Sequence, residues 1–251
     1  MPLPKIDHIN FPVTLPSSKK KVRIRPYTVK EEKILLAAQA SSDQDDSIEA
    51  IKQVVSNCII GDFDVETAPI FDVEYLFIRL RMHSVNSIVE LTYTDETDLD
   101  EHGIGKSHDF TVDLEDVQVR FPEGHTNKID FGNGIGAIMR YPSFETMKSV
   151  REHLEASISE PSRDVAIQAL FMIYGESIDL IYDDDKVYKA GLDFTQEEVM
   201  DFIDNLSSPA LFKIQEFFNT IPTVYYEIQY QNSKGESKTI PLSGIADFFI
   251  L

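Results

Sequence analysis

Tryptophan is absent from the 251 residues, and cysteine occurs once, at Cys58. A single thiol allows neither a disulfide framework nor a four-cysteine zinc site, so a reducing cytoplasm is the expected compartment. No apolar run approaches the roughly eighteen residues that a membrane-spanning helix needs. The opening MPLPKIDHINF lacks the apolar segment of a secretory signal. Basic residues are in deficit, 23 against 43 acidic ones, for a net charge of −20. Such a surface repels phosphates and anionic lipid, so neither nucleic acid nor membrane is expected as a partner. The tyrosines are not interleaved with basic residues, which removes a stacking platform for single strands. Neither a G-x-S-x-G elbow nor a Walker A sequence occurs. Carboxylates are so numerous that naming any two as acid and base carries no information. An enzyme is not expected, nor a cofactor.

What is present is a hydrophobic fraction of 42%, enough for a packed core. Charge is segregated. Residues 1–33 hold eight lysines and arginines against three acids, a net +5, which leaves −25 on the rest. The stretch INFPVTLPSSKKKVRIRPYT alternates as a hairpin around Pro16–Ser18. Period-two geometry sends Lys21, Arg23 and Arg25 to one face, and Pro12 marks the first strand as an edge. Thr28 and Glu31 form a capping box that opens a helix with Val29, Ile34, Leu35 and Ala38 on one face. Further helices are predicted over 47–60, with Ile48, Ile51, Val54 or Val55 and Cys58 as its stripe, and over 72–84. In the latter Val73, Leu76, Phe77 and Leu80 point inward, and Arg79 and Arg81 outward.

Strands are expected over 87–94, 110–114, 117–121 and 137–141, with a long acidic loop over 95–106. Then come helices over 143–156 and 163–174, a strand over 178–182, and a second capping box at Thr195–Glu198. A helix over 208–219 and strands over 223–230 and 238–242 follow. The fold class is α+β: an N-terminal β-hairpin plus helices (1–86), a small antiparallel sheet in the middle (87–142) and a mixed α+β C-terminal part (143–251).

Candidate chemistry is thin. GNGIGA, Gly132–Ala137, has the spacing of a dinucleotide motif, but Pro142 forbids the long helix such a motif needs, so a glycine turn is expected. His102 and His108 stand among Asp98, Asp100, Glu101 and Asp109 without the spacing of a zincin or an EF-hand. Asp183–Asp185 reads as a solvated turn, and Cys58 as a buried structural thiol. Two docking elements remain. Lys21, Arg23 and Arg25 form either a guarded edge strand or a dock for an acidic partner. The tail residues Phe248, Phe249, Ile250 and Leu251 either fold onto the protein's own core or insert into a neighbour.

The segment VRIRPYTVKEEKILLAAQ, residues 22–39, resembles the N-terminal signature of the baseplate hub and hub-assembly proteins of T-even-type contractile-tailed phages. The Arg25–Pro26–Tyr27 step, the T-x-K-E-E-K helix start and the strand SVNSIVEL at 84–91 carry the likeness, with PLSGIADFF near the end. It implies a non-enzymatic protein that promotes baseplate hub assembly in the host cytoplasm by binding other hub and tail proteins. The alternatives are a permanent structural subunit of the mature hub or, less favoured, a metal-dependent hydrolase around His102 and His108. Relatives with paired cysteines after the SIVEL strand imply a metal ribbon; TDETDLDEHGIGKSHDF has none, so no metal site is carried over. Partner contacts are expected at Lys21, Arg23, Arg25, Phe248, Phe249 and Leu251. No feature specifies an oligomeric state.

Overall fold

A computed structural model describes residues 7–41, 43–99, 101–157 and 163–249. In chain order the elements are β1 (Phe11–Thr14), β2 (Lys21–Ile24), α1 (Val29–Gln39), α2 (Gln44–Cys58), β3 (Ile59–Ile60), α3 (Ile70–Ser84), β4 (Ile88–Leu99), β5 (Gly105–Asp113), β6 (Gln118–Arg120), β7 (Lys128–Gly132), β8 (Ile135–Met139), α4 (Phe144–Ser157), α5 (Arg163–Glu176), β9 (Ile178–Tyr182), β10 (Val187–Lys189), α6 (Gln196–Asp204), α7 (Ser208–Asn219), β11 (Thr223–Gln231) and β12 (Ser237–Ser243), with a 3-10 turn at Ile245–Asp247. The fold is mixed α+β with small antiparallel sheets. It groups into two compact units. Unit 1 gathers Met1–Val65, Phe71–Arg120 and Thr223–Leu251; unit 2 gathers Glu66–Ile70 and Phe121–Pro222.

In unit 1, β2 is the central strand of the sheet β1-β2-β3. Val13 faces Val22 across the first pairing, and Arg23 faces Ile60 across the second. The helical period predicts α2 through Ile60, but the helix stops at Cys58. Ile59 and Ile60 leave it to pair with the second edge of β2, where β-branched residues fit well. Ala50, Ile51, Val54, Val55 and Cys58 are buried, whereas Ile48 is exposed. Helix α3 is buried almost all round, as a central helix must be. Arg79 is buried with it, against the outward placement expected. Its guanidinium donates to the carbonyl oxygens of Leu114 (3.0 Å) and Val117 (2.6 Å), and it lies 4.7 Å from the Tyr75 ring centre. Carbonyls with no strand partner need such a donor when water is excluded.

The acidic stretch expected as a loop is largely strand. β4 runs on to Leu99 and β5 begins at Gly105, with a register shift between Asp95 and Leu99. Asp95 and Asp98 are buried. Asp95 accepts from Tyr230 Oη at 2.7 Å, and Asp98 from the Ser233 backbone N–H at 2.7 Å. Tyr230 at the end of β11 and Ser233 in the β11–β12 turn thus anchor this irregular arm, which local preference would not do. The sheet β12-β11-β6 completes unit 1. Its core joins Ile78, Val112, Leu114, Val117, Val224, Ile228, Leu242 and Phe248.

Unit 2 is the sheet β10-β9-β8-β7 with helices α4 to α7. Ile129, Ala137, Met139, Tyr174, Ile178, Val199, Ile203, Ile214 and Phe217 form its core. His125 is wedged there, 2.9 Å from both Thr220 Oγ1 and Tyr141 Oη, and stacked on Phe217; burial lowers its pKa. Gly132, Asn133 and Gly134 have φ of 93°, 54° and 79°, so GNGIGA is the tight β7–β8 turn. A Cβ on Gly136 would lie 2.3 Å from Tyr182 Oη and 2.5 Å from the Ile129 carbonyl oxygen.

Candidate docking surface

The alternation of β2 divides its side chains as the sequence predicts. Val22 and Ile24 are buried, while Lys21 and Arg23 are exposed on the opposite face. Lys21 and Arg23 make no ion pair or side-chain hydrogen bond among the described residues. Lys20, next to them, reaches the backbone of Asp62 at 3.1 Å, and Lys19 donates to the Pro16 carbonyl. The strand is not the guarded edge, since β1 and β3 flank it on both sides.

Arg25 behaves differently. It follows the strand, and its side chain turns inward to hold Glu31. Nη2 lies 3.0 Å from Glu31 Oε1 and 2.9 Å from the Asn57 carbonyl oxygen. Glu31 in turn accepts from the Thr28 N–H at 2.9 Å and from Thr28 Oγ1 at 2.7 Å. The capping box is therefore present and doubly used: one carboxylate caps α1 and neutralises an arginine. Burial alone would raise the Glu31 pKa, but the bonds from Arg25 and Thr28 outweigh it and pull it down to about 2. Arg25 is a structural clamp, leaving two residues of the expected three facing solvent.

Asp72, also buried, accepts from the Ser17 backbone N–H at 3.0 Å and from its hydroxyl. This ties the β1–β2 turn to α3, so the strand that carries Lys21 and Arg23 is fixed at its turn and at its end.

The described part of the tail, Phe248 and Phe249, folds onto the protein's own core. Phe248 is fully buried in unit 1, and Phe249 meets the Phe77 ring edge-on at 5.7 Å. The Ile245 N–H donates to Glu74 Oε1 at 3.3 Å, and the Ser243 N–H to Asp247 Oδ2 at 2.6 Å. Phe248 is a core residue, so it offers no contact surface; Leu251 and Ile250 lie outside the described residues.

Of the remaining candidates, His108 and Asp98 stay close, Nε2 lying 3.9 Å from Oδ2, and the others separate. His102 is exposed beside Glu101, whereas His108 packs against Phe110 and Tyr230. Asp100 lies outside the described residues, among which no three His, Cys, Asp or Glu side chains gather as metal ligands. Asp183 accepts from the backbone N–H groups of Asp185 and Lys186, so the aspartate run is a turn. Cys58 is buried, and its pKa is pushed up to about 11, the state of an inert thiol. Sequence reasoning missed one surface. Leu36 and Val29 of α1 point to solvent because Glu31 and Ala38 take the buried side of that helix. A groove opens beside Leu36; its only sequence signal is an apolar excess on a helix whose stripe is already used.

No helix among the described residues is long and apolar enough to cross a membrane. No curated protein and no solved structure is significantly similar to the chain. A profile of the T4 bacteriophage base plate protein family, however, matches residues 8–250, nearly the whole length of both units. By that match the chain belongs to the T4 bacteriophage base plate protein family.

Proposed function

We propose that this base plate protein promotes assembly of the central hub by binding other hub and tail proteins in the host cytoplasm, and that it transforms no substrate. The observation that carries this is the pair Lys21 and Arg23: exposed, without an internal partner among the described residues, and set on a strand paired on both sides. A cationic patch on a chain whose residues 34–251 carry −25 steers an acidic partner surface to one place. The acidic remainder opposes self-association. Replacing both residues by glutamate lowers affinity for the hub partners at least tenfold and flattens its dependence on salt. Unchanged affinity in that variant, at low and high salt alike, overturns the proposal. A permanent place in the mature base plate is the second reading, supported by the family description. Fixed stoichiometry of the chain in purified virions favours it; loss from virions favours a transient assembly factor.

A further inference from the structure

We infer that the open edge of β4, with the groove beside it, takes an extended basic segment of another tail protein as an added strand. The groove lies within unit 1 and has a volume of about 860 Å3. Five consecutive residues of β4, Val89 to Tyr93, line it. Side chains alternate between the two faces of a strand, so consecutive residues line one groove only where it runs along the strand's edge. β4 pairs with β5 alone, and its other edge has no strand partner among the described residues. That edge presents backbone N–H and C=O groups that another chain can pair with. β12 also borders the groove and is also an outer strand, but Pro241 there removes a donor.

Side chains define the occupant further. Leu36, Val85 and Tyr93 line the groove and are 57%, 54% and 41% exposed. A contiguous apolar lining of this kind marks an interaction site. The charged residues of the lining are Glu32, Glu90 and Asp247 against a single cation, Arg81, which is bonded to Asn86. The complement is a strand whose apolar side chains alternate with lysine or arginine. In the chain's own stretch of that pattern, Lys21–Ile24, β1 takes one edge and β3 takes Arg23 and Ile24 on the other, which leaves too short a free edge for that stretch of a second copy to serve as the added strand. The occupant is therefore a different protein. This site is separate from Lys21 and Arg23 and does not depend on them.

The test uses the full chain and a fluorescent eight-residue peptide of alternating valine and lysine, with glutamate in place of lysine as control. The lysine peptide is expected to bind at least tenfold more tightly than the control and to protect from hydrogen exchange the alternate amides of Val89–Tyr93 that face away from β5. Leu36→Arg weakens it at least tenfold. Glu90→Lys, on an exposed side chain, does the same should Leu36→Arg disturb folding. Lys21→Glu with Arg23→Glu leaves peptide binding unchanged, so failure of the hub-docking proposal is distinguishable from failure here. Equal binding of both peptides, or indifference to both groove variants, overturns the inference. So does peptide binding only after Ile250 and Leu251 are deleted, which would mean the chain's own end fills the groove. Protection of the same amides that rises with protein concentration without peptide overturns it too, in favour of a second copy.

Discussion

Among the described residues, unit 1 buries the ionisable Glu31, Asp72, Arg79, Asp95 and Asp98 beside one neutral polar residue, Asn232; the buried polar residues of unit 2 are Ser143, Thr146 and Ser177, all neutral, and its His125 is half-buried. Unit 1 is also the unit made of three separate stretches of chain, while unit 2 is one continuous stretch plus a short strap. The two facts belong together. Asp72 reaches Ser17, Arg79 reaches Leu114, Asp95 reaches Tyr230 and Asp98 reaches Ser233, each joining segments far apart in sequence. Apolar packing is indifferent to small slips, but a buried charge left unpaired costs several kcal/mol. Directional ties therefore specify which segments meet in unit 1. In unit 2 chain continuity with apolar and aromatic packing does most of that, and His125, bonded to Thr220 and Tyr141, adds a long-range polar tie.

The comparison predicts different responses to substitution. The largest effects come from core truncation in either unit: Phe248→Ala in unit 1 and Phe217→Ala in unit 2 each cost about 3–5 kcal/mol in denaturant titration. Hydrogen exchange then rises in the unit that carries the change. Glu31→Gln leaves Arg25 without its counter-charge and costs about 3 kcal/mol. This cost depends on pH. The Glu31 pKa falls from 4.5 in the unfolded chain to about 2 in the folded one. Its contribution is therefore complete above about 4.5 and disappears as pH drops toward 2. Asp95 and Asp98 are also lowered, by their hydrogen bonds from Thr97 and Tyr230 and from Ser233. Asp72 and Glu74 are raised by burial and act in the opposite sense. Amide protection of β1, β2 and α1 is expected to fail in acid before that of unit 2, and Glu31→Gln removes this difference at the α1 start. Equal acid sensitivity of the two units would break the comparison.

Gly136→Ala sharpens it from the other side. The added methyl group collides with Tyr182 and the Ile129 carbonyl, at about 1–3 kcal/mol with no acid dependence. The smallest effect on stability is that of Lys21→Glu with Arg23→Glu, within about 0.5 kcal/mol, because both side chains face solvent. Any larger loss would make them structural.

Local signals in the sequence were sufficient where the structure is local. Both capping boxes, at Thr28 and Thr195, are formed, and the predicted limits of β9 and α7 match the observed Ile178–Tyr182 and Ser208–Asn219. The hairpin with Lys21 and Arg23 on one face was equally readable. Distant partners account for what was not. Asp95–Leu99 is poor strand sequence, anchored by partners 135 residues away. Arg79 reads as a surface residue until the Leu114–Val117 carbonyls are placed beside it. Arg25 follows the alternation of a basic face, but Glu31 takes it six residues on. Phe248 is apolar whether it docks or packs, and only the closed core decides.

The proposal that the protein works by offering a surface to other tail proteins is tested most directly by titrating purified hub partner against the wild type and the Lys21→Glu, Arg23→Glu variant at several salt concentrations. Tight, salt-weakened binding by the wild type, at least tenfold weaker in a variant that keeps full stability, is the predicted result. Identical affinities for the two proteins across the whole salt range would contradict it.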